Sequence, residues 1–194
     1  MASEAKKIYL LRHGETAWSR AGRHTSMTDI SLTENGREAA RRLQPYLVKE
    51  SFRAVSSSPL QRARETCELA GLGRVAVVEP DLVEWNYGDY EGLTTREIRL
   101  KRPDWSLFRD GCPGGETPAQ VASRADGVIA KIKQIDGDVA LFAHGHILRV
   151  LAARWINLPV GHAEHFLLDT ATLNVLGFYY DSPALKIWNA PLVC

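Results

Sequence analysis

The chain has little sulfur: three cysteines and two methionines in 194 residues. Cys67, Cys112 and Cys194 are odd in number and far apart, so they make neither a disulfide framework nor the paired spacing of a metal site. A reducing, cytoplasmic setting is the expectation. No apolar run approaches the length needed to span a bilayer. Lys6 and Lys7 are followed by only four apolar residues before Arg12, too few for the core of a signal peptide. Neither sign of charge dominates: 24 Lys and Arg stand against 23 Asp and Glu. A net charge of +1 gives no reason to expect a nucleic-acid or membrane partner. Internal repeats, low-complexity segments, a His-Glu-x-x-His helix and an aspartate cluster for magnesium are all missing, so no metal and no cofactor is expected. Oligomeric state is not legible.

What remains is an ordinary globular composition, 45% apolar and 24% charged, in a length that suits one domain over residues 1–194. Residues 1–6 are a polar start, expected to be loose. Lys7–Leu11 reads as a buried strand and residues 17–30 as a polar loop. Ser31 or Thr33 caps a helix whose apolar face is Ala39, Ala40, Leu43 and Leu47. Arg53–Ser57 is a second strand. Ser58-Pro59 then opens a helix, with serine as cap and proline in the first turn, that ends at Gly71. Arg74–Val78 is a strand, residues 79–92 an irregular loop, and Thr94–Lys101 a short helix. A long helix over Pro118–Gln134, a strand over Asp138–Ala143 and a helix over Ile147–Trp155 follow. Leu173–Tyr180 and Ala184–Trp188 close the chain as strands. Strands alternating with helices predict an α/β fold, a single three-layer domain with a mainly parallel central sheet.

Against this background four charged or kinked segments stand out. Arg12-His13-Gly14-Glu15-Thr16 sits directly behind the apolar run Ile8–Leu11, where an imidazole and a guanidinium can share an anion. Strand C-termini are where ligands collect in open α/β sheets. Ser58-Pro59-Leu60-Gln61-Arg62 follows the second strand. Glu84-Trp85-Asn86-Tyr87-Gly88 lies mid-chain. Ala143-His144-Gly145-His146 follows the apolar run Val139–Phe142. In that order, from about Ile8 to Leu176, these pieces resemble the histidine phosphatase superfamily, the phosphoglycerate mutase-like two-histidine enzymes.

The resemblance implies a role for each residue. His13 is the nucleophile, able to attack phosphorus once its other ring nitrogen is held as a donor. Arg12 and Arg62 are phosphate clamps, since a guanidinium fork matches phosphate oxygens in two-point contact. Arg64 reads as a surface charge. His144 donates to the phosphoryl oxygens. A metal site on His144 and His146 is the competing reading, but two histidines two apart do not make one without further ligands. Glu84 is the general acid and base, with Glu91 as its rival. Thr25 and Ser26 match the family's substrate loop, Tyr87 packs near the mouth, and Gly145 and Arg149 complete the substrate-binding set. Arg149 is placed to reach a second anionic group.

Within the family the mutases carry a basic residue after the acid and an adjacent arginine pair downstream. Here Trp85 follows Glu84, and Arg109 is followed by Asp110. The pattern resembles the phosphatase branch, which includes broad-specificity acid phosphatases and sedoheptulose bisphosphatases. The expected activity is metal-independent hydrolysis of a small phosphorylated metabolite through a phosphohistidine. A mutase and a non-catalytic phospho-ligand scaffold are the alternatives.

Overall fold

The computed structural model describes residues 6–192. Residues 1–5 of the polar start and Cys194 lie outside the described residues. Lys6 is tied down, its Nζ donating to the carbonyls of Ile132 and Ile135.

Six strands form one sheet in the order β3-β2-β4-β1-β5-β6. They are β1 Ile8–Arg12, β2 Phe52–Ser57, β3 Ala76–Val78, β4 Asp138–Ala143, β5 Leu173–Tyr179 and β6 Ser182–Ala190. The first four pair in parallel, while β5 and β6 add an antiparallel edge. The helices are α1 Ala17–Arg20, α2 Glu34–Leu47, α3 Gln61–Leu69, α4 Thr95–Lys101, α5 Leu107–Asp110, α6 Pro118–Lys133 and α7 Gly145–Trp155. Among the described residues no helix is long and apolar enough to cross a membrane.

The three layers follow from the period-two geometry of β1 and β4. Ile8, Leu10, Val139, Leu141 and Ala143 face one core, with α6 and α7. Tyr9, Leu11, Ala140 and Phe142 face the other, with α2 and α3. Covered on both sides, these strands read as unbroken apolar runs rather than as alternating ones. Caps set several helix starts: Thr33 Oγ1 accepts from Gly36 N at 3.0 Å to begin α2, and Thr117 with Gln120 forms a capping box at α6.

The elements differ from the sequence reading in five places. The loop over residues 17–30 contains the short helix α1, and α5 was not foreseen. Helix α3 starts at Gln61, not at Ser58-Pro59; Leu60 holds the cap position without a side-chain bond. Arg74 and Val75 lie in a 3-10 turn, which shortens β3. Helix α7 begins at Gly145 rather than Ile147. Gly145 and His146 join it because an outside carboxylate caps that end.

Candidate active site

The register of the sheet assembles the site. Arg12 of β1 lies opposite Ala143 of β4, so His13 and His144 leave adjacent strand ends at one level. His13 N donates to Ala143 O at 3.0 Å, and Ser58 N donates to Phe142 O at 2.9 Å. The two imidazole centroids are 5.2 Å apart. Gly14 then turns the chain past the start of α2, where a Cβ would overlap the Gly36 carbonyl oxygen. Gly14 N donates to Thr66 Oγ1 at 3.0 Å, which pins the turn to α3.

His13 is almost fully buried. Its Nδ1 lies 2.8 Å from Gly14 O. A carbonyl only accepts, so Nδ1 carries the proton and Nε2 keeps a lone pair. Burial, then the Arg12 and Arg62 guanidiniums, hold the His13 pKa well below its ordinary value. The ring is therefore neutral near pH 7. Arg12 donates from Nη1 to Leu168 O. Its Nε is buried and has no partner among the described residues. Gly145 backs it closely: a Cβ there would lie 3.3 Å from Nε, a tight contact that the guanidinium must yield to.

Arg62 and His144 are fully buried and form the floor behind His13 rather than the wall of the open cavity. Arg62 lies in the first turn of α3. Its Nε donates to His144 Nδ1 at 3.1 Å, Nη1 to Thr28 O at 3.1 Å, and Nη2 to Thr25 O and Ser26 O at 3.2 and 3.0 Å. With Nδ1 accepting, His144 Nε2 carries the proton and donates to Ser58 Oγ at 2.8 Å. Arg62 thus locks the tautomer of the second histidine, and Ser58, read from sequence as a helix cap, accepts from its proton-bearing nitrogen. Ser26 is also buried away from the cavity, and its hydroxyl has no partner among the described residues.

Glu84 reaches the same place from the loop after β3. Its Oε1 accepts from Trp85 N at 2.9 Å and Ile147 N at 3.0 Å, and Oε2 accepts from His146 N at 3.0 Å. Two of those donors belong to the first turn of α7, whose unpaired N–H groups need acceptors. The carboxylate thus caps α7 and is aimed by it. Arg124 of α6 fixes the backbone around it, donating to Asp81 O at 2.8 Å and Val83 O at 2.6 Å while pairing with Glu116 at 2.8 Å. Glu91 does something else. Its carboxylate accepts from Ser26 N at 2.9 Å and Thr28 N at 3.2 Å, and so anchors the loop that Arg62 holds from the other side.

The cavity over His13 measures about 240 Å³. Of the residues singled out in sequence, Arg12, His13, Thr25, Glu84, Tyr87, Gly145 and Arg149 line it. Sequence reasoning missed the lining roles of Ser19, Arg23, His24, Thr95 and His146. His146 had been weighed as a metal ligand; its Nδ1 instead meets the Tyr87 hydroxyl at 2.5 Å. Its place two residues after His144 was the available signal, because the first turn of a helix at a strand end points into the site. For His24 there was none, since α1 brings it in. Among the described residues no group of three or more His, Cys, Asp or Glu side chains is placed to hold a metal ion.

Residues 8–191 match the model of the histidine phosphatase superfamily (branch 1). An acid phosphatase of Mycobacterium tuberculosis is 43% identical over 186 residues, covering 93% of this chain and 91% of that protein. The sedoheptulose 1,7-bisphosphatase of Saccharomyces cerevisiae is 37% identical over 194 residues, covering 82% of this chain and 71% of that protein. Among solved structures, the product of a Mycobacterium tuberculosis open reading frame superposes with a TM-score of 0.93 at 38% identity, over 98% of this chain and 100% of that one. A mycobacterial glucosyl-3-phosphoglycerate phosphatase solved in complexes with VO3 follows at 0.85 and 30% identity, over 96% and 100%. The matched length, the fold and the two-histidine site agree: this chain belongs to the histidine phosphatase superfamily, branch 1.

Proposed function

We propose that the protein is a phosphomonoesterase that hydrolyses small phosphorylated metabolites in two steps, through a phosphohistidine on His13 and without a metal ion. The phosphatase class rests on family membership and on relatives named as phosphatases. The mechanism rests on one observation: the His13 tautomer lock leaves Nε2 unprotonated in a cavity it shares with Arg12 and Glu84.

In the first step Nε2 attacks phosphorus, the bond to the ester oxygen breaks, and Glu84 delivers a proton to that oxygen. In the second, water attacks the phosphohistidine, Glu84 takes its proton, and inorganic phosphate leaves. Arg12 supplies positive charge to the phosphoryl oxygens from the cavity wall. Phosphoryl transfer depends chiefly on such positioning and electrostatics. Arg62 supplies fixed positive charge beneath the site, and His144 lies beside it. Burial and the neighbouring cations hold His144 neutral as well, so its Nε2–H is a fixed donor shared with Ser58. The cavity falls below the range of about 300–1,000 Å³ that suits drug-sized ligands, in keeping with a small metabolite. Trp85 is buried, its Nε1 donating to Glu116 O at 2.9 Å, so the position after the acid offers no charge to a substrate carboxylate, as a mutase requires. A cytoplasmic setting accords with buried, reduced Cys67 and Cys112.

The test is hydrolysis of p-nitrophenyl phosphate by wild type and His13→Ala, with and without EDTA. Loss of turnover in a folded His13→Ala and indifference to EDTA are expected. A folded variant with near wild-type activity, or activity restored only by added metal, contradicts the mechanism.

A further inference from the structure

Beside Glu84 the cavity wall carries two histidines that the mechanism above does not use. The His146 ring packs against Phe108, His24 and Tyr87 at centroid distances of 5.4, 5.8 and 5.8 Å. Its Nδ1 is 3.8 Å from Glu84 Oε2, so it borders the spot where the leaving oxygen is protonated. His24 also stacks on Tyr87 at 4.7 Å, and its Nε2 is 3.2 Å from Thr95 Oγ1.

The hydrogen-bond pattern fixes what His146 presents. His146 Nδ1 is the one partner of the buried Tyr87 hydroxyl among the described residues, so the phenol, kept protonated by burial and by the nearby Glu84 carboxylate, has that nitrogen to donate to. The remaining nitrogen, Nε2, then bears a hydrogen. It has no partner among the described residues, and the ring lines the cavity. Burial, then Arg149 and His24, hold His146 neutral. Burial holds His24 neutral too, at a pKa of about 4. An uncharged imidazole pair is a weak match for a second phosphate or carboxylate. It suits a hydroxyl, which donates and accepts as an imidazole does.

Resting on the phosphohistidine reading, we propose that His146, with His24 at its side, is a specificity-determining residue that hydrogen-bonds a hydroxyl on the leaving group, so that the enzyme favours hydroxylated phosphomonoesters of the polyol or sugar type over unsubstituted alkyl esters. An unsubstituted ester would expel water from Nε2–H and leave that donor unpaired, the arrangement by which sites reject analogues lacking a hydroxyl.

The test compares sn-glycerol 3-phosphate with n-propyl phosphate, two primary alkyl esters of one chain length that differ by two hydroxyls. The readout is the ratio of their kcat/KM values in wild type, His146→Phe and His146→Gln. Wild type is expected to favour the glycerol ester by at least about 10-fold. His146→Phe keeps the ring but not the donor and should cut that ratio by about 10-fold, while His146→Gln should restore most of it. Circular dichroism checks each variant's fold, and the wild-type ratio needs no variant. A wild-type ratio near one, or a ratio unmoved in folded His146→Phe, overturns the inference while leaving the phosphatase reading in place. A wild type that hydrolyses neither these esters nor p-nitrophenyl phosphate overturns both.

Discussion

Replacing Glu84 by Gln separates the two duties assigned to that carboxylate. Oε1 takes two of its three backbone donors and Oε2 takes the third, His146 N. A glutamine keeps one oxygen for the pair and sets its NH₂ against the third N–H. One buried donor loses its acceptor, which costs about 1–3 kcal/mol. For a chain of this size the melting temperature should fall by roughly 2–10 °C, so the variant stays folded at 25 °C. The chemical effect is larger. Loss of a general acid costs about 10²–10⁴-fold when the leaving group is a poor one. Phosphorylation of His13 by an alkyl phosphate should slow by that much. With p-nitrophenyl phosphate the nitrophenolate departs without a proton, so the first step should slow far less. Dephosphorylation still needs a base to activate water. Rapid-quench kinetics with the aryl ester should therefore show a burst of nitrophenol followed by accumulation of acid-labile phosphoenzyme. Equal slowing for aryl and alkyl esters, with no burst, would refute the assignment.

Arg62 and Arg64 should part sharply. Arg62→Ala strands His144 Nδ1 and the carbonyls of Thr25, Ser26 and Thr28, so stability should fall by about 3–5 kcal/mol and turnover by at least ~100-fold, whereas exposed Arg64→Ala should stay within about 0.5 kcal/mol. Thermal melts with kcat/KM check this, and equal small effects would contradict it. The pH dependence of stability has a definite sign. His13, His24, His144 and His146 all have lowered folded-state pKa values, so below 6.5 the unfolded chain binds protons that the folded one refuses. The stability they confer is complete above pH 6.5 and is lost as the pH falls toward the folded values, about 4 for His24. Each contributes a slope of about 1 kcal/mol per pH unit in that window. Urea melts from pH 7.5 to 4.5 should show falling stability; a flat or rising profile would contradict the buried neutral histidines.

Much of this was legible before the fold was known. Unbroken apolar runs at Ile8–Leu11 and Val139–Phe142 mark strands covered on both faces, and charged residues directly after them mark the sheet edge where they collect. The parallel sheet and the meeting of His13 with His144 follow from that, while the places of Arg62 and Glu84 were legible only through the resemblance to the histidine phosphatases. What escaped depends on contacts between distant segments. Ser58-Pro59 has the local chemistry of a helix start, but the Ser58 hydroxyl is shared between His144 and Leu60 N, and the helix waits until Gln61. Gly145 and His146 lack strong helix propensity, yet Glu84 supplies the missing cap and draws them into α7. Glu91 and Glu84 cannot be told apart by composition; one faces the N–H groups of a loop and the other those of a helix end in the cavity it shares with His13. Arg62 reads as a phosphate clamp by its motif, and the structure gives its whole fork to His144 and to the loop over residues 25–28.

The account stands or falls on a phosphoryl group carried by His13. Wild type and Glu84→Gln should be quenched during turnover of p-nitrophenyl phosphate, digested under alkaline conditions, and mapped by tandem mass spectrometry. The expected result is a phosphohistidine on the peptide holding Arg12-His13-Gly14, enriched in Glu84→Gln and absent from His13→Ala. Phosphate on another residue, or steady turnover in wild type with no phosphoenzyme in either protein, would contradict it.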